Sequence, residues 1–155
     1  MPEELVPMFG SVPTTLIPVN GKPVIFLLLE HFKSLGIQEV YVSVGYMKER
    51  VEAILEAYGN DEAFRVNPVS VEVSQRPGAA LLSIIRSIPE PKRKENGLYI
   101  QLADTLLPSS KEFSLDKNFV VASKEYTQSE HWCVVDADPV QKQVQAIYDK
   151  QKDKE

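Results

Sequence analysis

Between Pro23 and Val44 the apolar residues change period with only Gly36 and Ile37 between the two patterns. Val24, Ile25, Leu28, Leu29, Phe32 and Leu35 recur at helical spacing and form one broad apolar face. Pro23 suits a first helical position, and Gly36 suits the left-handed position just past a helix end. QEVYVSV follows at once over residues 38–44, where Val40, Val42 and Val44 share one face at period two. β-Branched residues in that alternation predict a strand.

The alternation continues downstream. Gly45 and Tyr46 turn the chain, and Met47, Val51, Ile54, Leu55 and Tyr58 fall at helical offsets. VSVEVS, residues 69–74, predicts a strand on Val69, Val71 and Val73. RPGAALLSIIRSI predicts a helix opening after Gly78, with Leu81, Leu82, Ile84, Ile85 and Ile88 facing inwards. PEPKRKEN reads as a solvated loop. GLYIQLAD, residues 97–104, reads as a continuous apolar strand of the buried, parallel kind. NFVVAS, HWCVVDAD and VQAIYDK are three more strand candidates, the last two joined by a turn at Asp138-Pro139. Strands alternating with helices predict an α/β sandwich around a mainly parallel sheet. No repeat or low-complexity linker divides the 155 residues, so one domain, or part of one, is expected over 1–155.

The formal net charge of −5 argues against a nucleic-acid partner, which calls for a basic face. A single cysteine, Cys133, excludes an internal disulfide and a cysteine metal cluster, and is expected as a small core residue. No apolar window is long enough for a bilayer span, and the N-terminus carries no signal pattern. The expectation is a cytoplasmic protein without a membrane partner.

In open α/β sheets, ligands bind outside the carboxyl ends of the strands. Three features fall there. Asp104 ends the LADT stretch, where a carboxylate suits Mg²⁺ or simply caps the next turn. Gln75 and Gly78 lie in SQRPGAA: the amide can meet a nucleobase edge, and the glycine lets backbone approach a ligand, or the segment is a plain turn. Lys150, in YDKQ, can pair with a phosphate or stand as a solvated lysine. His31 reads as a helix-flank residue and His131 as a strand start, and no Ser/His/Asp or Cys/His set is evident.

Taken in order, LIPVNGKPVIFLLLEHFKSLGIQEVYVSVGYMKERVEAIL, SVEVSQRPGAALLSI, LYIQLADTLL and WCVVDADPVQKQVQAIYDK resemble the nucleotidyltransferases that make nucleotide sugars and related activated head groups. The resemblance implies a Rossmann-like three-layer α/β/α domain that binds a nucleoside triphosphate and a sugar phosphate. It implies in-line attack on the α-phosphorus, with Mg²⁺ as cofactor. By position it makes Asp104 a metal-binding aspartate, Gln75 and Gly78 nucleotide-contacting residues, and Lys150 a sugar-phosphate lysine. A nucleotide sugar is a further implied partner, and sheet edges left exposed by missing terminal strands would invite pairing, so a homo-oligomer or a fused domain is expected as well.

The departures fall on the phosphate-binding part. In the pattern LAAGxGTRLxPLTxxxPKxLlPV, Leu5, Pro7 and Pro13 match. The Gly-Thr pair falls on Pro2 and Glu3, the Arg on Glu4, and the Lys on Thr14; the Glu-Lys-Pro motif is Asp149-Lys150-Gln151. The opening strand and the last strands of the pattern fall outside residues 1–155. Loss of one preorganised transition-state donor costs roughly 10²–10³ in rate, so loss of two cations implies about 10⁴ or more if the effects add. The expectation is a nucleotidyltransferase-like domain of nucleotide-sugar or surface-polysaccharide metabolism with reduced or altered catalysis, incomplete at both ends. Two alternatives stand beside it: an active sugar-1-phosphate nucleotidyltransferase whose phosphate loop and C-terminal part lie outside this chain, and a non-catalytic regulatory or assembly module.

Overall fold

The structure is a computed structural model that describes residues 6–73, 77–95, 97–106, 133–138, 140–141 and 143–149. The chain divides into two compact units, Met1–Ser109 and Ser110–Glu155. In the first unit a short helix α1 (Val6–Phe9) and a 3₁₀ turn (Thr14–Leu16) lead into a minimal hairpin, β1 (Pro18–Val19) and β2 (Lys22–Pro23). Asn20 and Gly21 form its two-residue loop, both at positive φ, as a tight hairpin turn of matching twist requires. Helix α2 (Val24–Ser34), strand β3 (Glu39–Val44), helix α3 (Lys48–Tyr58) and strand β4 (Arg65–Ser70) follow. β3 and β4 pair in parallel, from Glu39 opposite Arg65 to Val44 opposite Ser70. Helices α4 (Pro77–Ser87) and α5 (Glu90–Glu95) complete the regular elements among the described residues of this unit. The α/β class expected from the alternation is therefore present, with one parallel strand pair among the described residues.

The apolar stripe read from the sequence is the side of α2 that makes the core. Val24, Ile25, Leu28, Leu29 and Phe32 are buried, Leu29 completely. They meet Val42 and Val44 of β3, Val51 and Leu55 of α3, and Phe64 and Val66 at the start of β4. Burying each such side chain contributes about 1.5–3 kcal/mol, which outweighs the moderate propensity of these short helices. α2 stops where predicted. The Ile37 amide donates to the Phe32 carbonyl and the Gly36 amide to Lys33, with Gly36 at φ 77°. Ile37 packs back onto the core cluster, so the cap also fixes the entry to β3. Between α3 and β4, the Lys33 ammonium meets the Asp61 carboxylate at 2.8 Å and lies 4.9 Å from the Phe64 ring centre.

Four expectations need correction. The fourth element is a strand at Arg65–Ser70, so of the three valines only Val69 lies in it: the ladder with β3 ends at Val44 opposite Ser70, and the Val71 amide adds one last bond to the Val44 carbonyl. Within PEPKRKEN, Glu90–Glu95 folds as α5: Glu90 and Pro91 suit a helix start, Lys92, Arg93 and Lys94 suit its negative end, and Lys92 pairs with Glu39. Residues 97–102 form no strand. Tyr99 turns inwards, edge-on to Phe32 at 5.6 Å, whereas Leu98, Ile100 and Leu102 face outwards at 45–68% exposure. Period two is kept, but no described strand supplies a ladder. Leu82 of α4 is likewise exposed, while Ile88 just beyond that helix is buried.

In the second unit, β5 (Cys133–Ala137) and β6 (Val144–Asp149) form the expected antiparallel hairpin. The Asp138 carboxylate accepts the amides of Val140 and Gln141 and holds its turn. Cys133 is exposed instead of being a core residue, since a two-stranded ribbon has no interior of its own. The NFVVAS stretch lies outside the described residues.

Candidate functional site

The carboxyl end of β3 opens onto a cleft. After Val44 the chain turns through Gly45 and Tyr46 into α3, and Met47 at its start has φ 51°, a conformation uncommon for a side chain of its kind. A side-chain carbon on Gly45 would meet the Val71 carbonyl oxygen at 3.3 Å, so the turn hugs the chain leaving β4. Tyr46 is left half-exposed. Beside it the segment between α1 and the 3₁₀ turn completes a cavity of about 330 Å³ lined by Val6, Gly10, Ser11, Val12, Pro13, Thr14 and Tyr46.

Thr14 connects that cavity to Asp104. Its hydroxyl donates to one oxygen of the Asp104 carboxylate at 3.3 Å, and the Thr105 hydroxyl donates to the other at 3.4 Å. The Gln101 side-chain amide donates to the Thr105 carbonyl at 2.6 Å and steadies the 101–105 turn. The buried Thr15 hydroxyl and Gln101 amide oxygen have no hydrogen-bond partner among the described residues. Two positions 90 residues apart in sequence, singled out as the missing lysine and the metal-binding aspartate, thus sit side by side. A hydroxyl orients a carboxylate without cancelling its charge. No lysine or arginine is among the described residues lining the cavity.

Mg²⁺ takes oxygen ligands, commonly one or two carboxylates plus substrate phosphates. Among the described residues no three His, Cys, Asp or Glu gather into a metal site. Asp104 with the Thr14 hydroxyl is an oxygen donor set that fits an ion arriving with a phosphate substrate, and does not fit an ion held by protein alone.

Among the described residues, Gly78 is not brought to this cleft. Gly78 lies in the exposed first turn of α4, with open space around it, and Gln75 and Lys150 lie outside the described residues. His31 lies on α2 with its Nε2 buried and without a hydrogen-bond partner among the described residues, and His131 lies outside the described residues. Sequence reasoning missed Tyr46 and the Gly10–Val12 wall. The available signal was the Gly45-Tyr46 turn at a strand's carboxyl end, a place where α/β sheets hold ligands.

No described helix is long and apolar enough to cross a membrane. The chain is similar to the choline-phosphate cytidylyltransferase of Streptococcus pneumoniae (strain ATCC BAA-255 / R6), with 40% identity over 55 residues. Those residues are 36% of this chain and 24% of that protein, so the chain matches about a quarter of its relative's length. That likeness supports the broad nucleotidyltransferase class. No family model matches the chain, and no solved structure does.

Proposed function

We propose that this chain carries a nucleotidyltransferase-like domain that binds a nucleotide or a phosphorylated small molecule, with reduced or altered catalysis, in nucleotide-sugar or surface-polysaccharide metabolism. The observation that carries this reading is the meeting of Asp104 and Thr14 at a cleft beyond the carboxyl end of a parallel strand. The partial likeness to a cytidylyltransferase agrees with it.

In this reading Asp104 positions the phosphate-bearing end of the substrate. A bound Mg²⁺ would supply charge neutralisation at the phosphates. Thr14 holds the carboxylate in place but adds no positive charge, and this is the physical basis for weak catalysis. Transfer by in-line displacement depends on positioning and electrostatic stabilisation, and the second of these is what a threonine at position 14 lacks. Gln75 and Gly78 for the nucleotide, and Lys150 for the sugar phosphate, belong to the same proposal by resemblance, and a homo-oligomeric or fused partner belongs to it by the sheet edges that missing strands would leave exposed.

Calorimetric titration with Mg²⁺ and nucleoside triphosphates, nucleotide sugars or sugar phosphates tests it. At least one of them is expected to bind at millimolar concentration or below, and Asp104→Ala is expected to weaken the Mg²⁺-dependent part about tenfold or more. No binding of any of them by the wild-type chain would remove the ligand site.

A further inference from the structure

The amino end of the β3–β4 pair holds a second cavity, of about 240 Å³, lined by Gln38, Glu39, Glu62, Ala63, Arg65 and Lys92. Glu39 and Arg65 face each other as the first rung of the parallel ladder, and the Arg65 amide donates to the Gln38 carbonyl at 2.9 Å. In the turn before β4 the Asp61 carboxylate accepts the Ala63 amide at 2.9 Å, which fixes the backbone on either side of Glu62. α5 supplies Lys92, whose ammonium pairs with Glu39. Tyr41 and Asn67 also donate to the Glu39 carboxylate, so this wall of the cavity is a closed network. Arg65 and Glu62 differ from it: neither makes an ion pair or a side-chain hydrogen bond with a described residue. The hydrogen bond from Lys92 to Glu39 is the main reason the ammonium is held above its ordinary value, and the nearby Arg65 guanidinium works against it.

With one cation and one carboxylate committed to each other, one of each is left open. A lone anion would gain Arg65 but meet the carboxylate of Glu62, and a lone cation would gain Glu62 but meet the guanidinium. A molecule that carries both charges satisfies both. The guanidinium fork matches a carboxylate bidentately, and a primary ammonium brings three donors to Glu62. The cavity is smaller than ordinary small-molecule sites of roughly 300–1,000 Å³, which limits its occupant to a few heavy atoms. We propose that this cavity binds a small zwitterion, an α-amino acid, with its carboxylate on Arg65 and its ammonium on Glu62. The site lies at the end of the strands opposite the cleft beside Asp104, and it does not depend on the nucleotidyltransferase reading.

The test is titration of the whole isotope-labelled chain at low salt with each standard amino acid and with inorganic phosphate, followed through its backbone amide signals. At least one amino acid is expected to bind at about 10 mM or below, moving the signals of Gln38, Glu62, Ala63 and Arg65. The amide of that amino acid, which lacks the carboxylate, and its N-acetyl derivative, which lacks the ammonium, are each expected to bind about fivefold more weakly or worse. Arg65→Gln and Glu62→Gln are expected to cause losses of the same size, with melting curves to show that each variant folds. The two ligand derivatives test the same contacts on the unaltered chain, so the outcome does not hang on the variants. Binding of no amino acid, equal binding of either derivative, tighter binding of phosphate, or shifts confined to the residues around Thr14 and Tyr46 would each overturn the proposal. Failure of every nucleotide and sugar phosphate to bind would remove the proposed function and leave this site standing.

Discussion

Thr14 and Glu39 show how one side chain's chemistry sets what its neighbours do. At position 14 a hydroxyl orients Asp104 and brings no positive charge to it, and the identity of the residue was readable directly from the sequence. That Thr14 and Asp104 touch was not, because the contact joins two loops and depends on how the core seats them. Glu39, at the amino end of β3, was read only as part of a strand. In the structure it accepts hydrogen bonds from Lys92, Tyr41 and Asn67. The Lys92 ammonium is the main reason its carboxyl is held below the ordinary glutamate value, against burial, which pushes the other way; the Tyr41 and Asn67 donors add to the lowering. Asp61 is lowered likewise, chiefly by Lys33. A carboxylate whose folded value is depressed contributes stability above its unfolded value and loses it as pH falls through the folded one. The melting temperature is therefore expected to drop as pH falls below about 4.3. Glu39→Gln should lower the melting temperature at neutral pH and flatten part of that acid-side drop. An unchanged acid slope in the variant would show that the Lys92 pair contributes nothing.

Secondary-structure elements were legible where a single local cause fixes them. The stripe of α2, its stop at Gly36 and the alternation of β3 are each written within a few neighbouring residues. The Asn20-Gly21 hairpin is an equally local signal, since that pair favours the positive φ values a two-residue turn requires. Gly36→Ala puts a β-carbon at φ 77° and should cost about 1–2 kcal/mol, read as a shift in denaturant midpoint with unchanged slope. Leu29→Ala, at a completely buried position, should cost more, about 2–5 kcal/mol. If the two variants are equally stable, the assignment of Leu29 to the centre of the core is wrong. Elements were misread where the cause is distant. β4 begins four residues before the alternating valines because β3 offers a ladder only from Glu39 to Val44. Residues 97–102 keep strand periodicity without strand pairing, because periodicity lies in the sequence and pairing requires a neighbour.

At the scale of the whole molecule, burial is uneven between the two units. The buried apolar side chains cluster on α2, β3, α3 and the start of β4, whereas no described residue of β5 or β6 is fully buried. A two-stranded ribbon is marginal by itself. Native-state hydrogen exchange is therefore expected to give the amides of α2 and β3 opening free energies near the global value, and those of β5 and β6 values close to zero. Equal protection in both would contradict the division. The sequence by itself determined the α/β alternation, the buried stripe of α2 and the absence of cations at the positions where a phosphate loop would carry them. These follow from residue type and short-range spacing, which the chain holds before it folds. Only the tertiary structure decided that Asp104 faces Thr14, that Tyr46 rims a cleft beyond β3, and that Leu98, Ile100 and Leu102 are left uncovered. Each of those depends on which surfaces meet once the core has formed, and no local pattern carries that information.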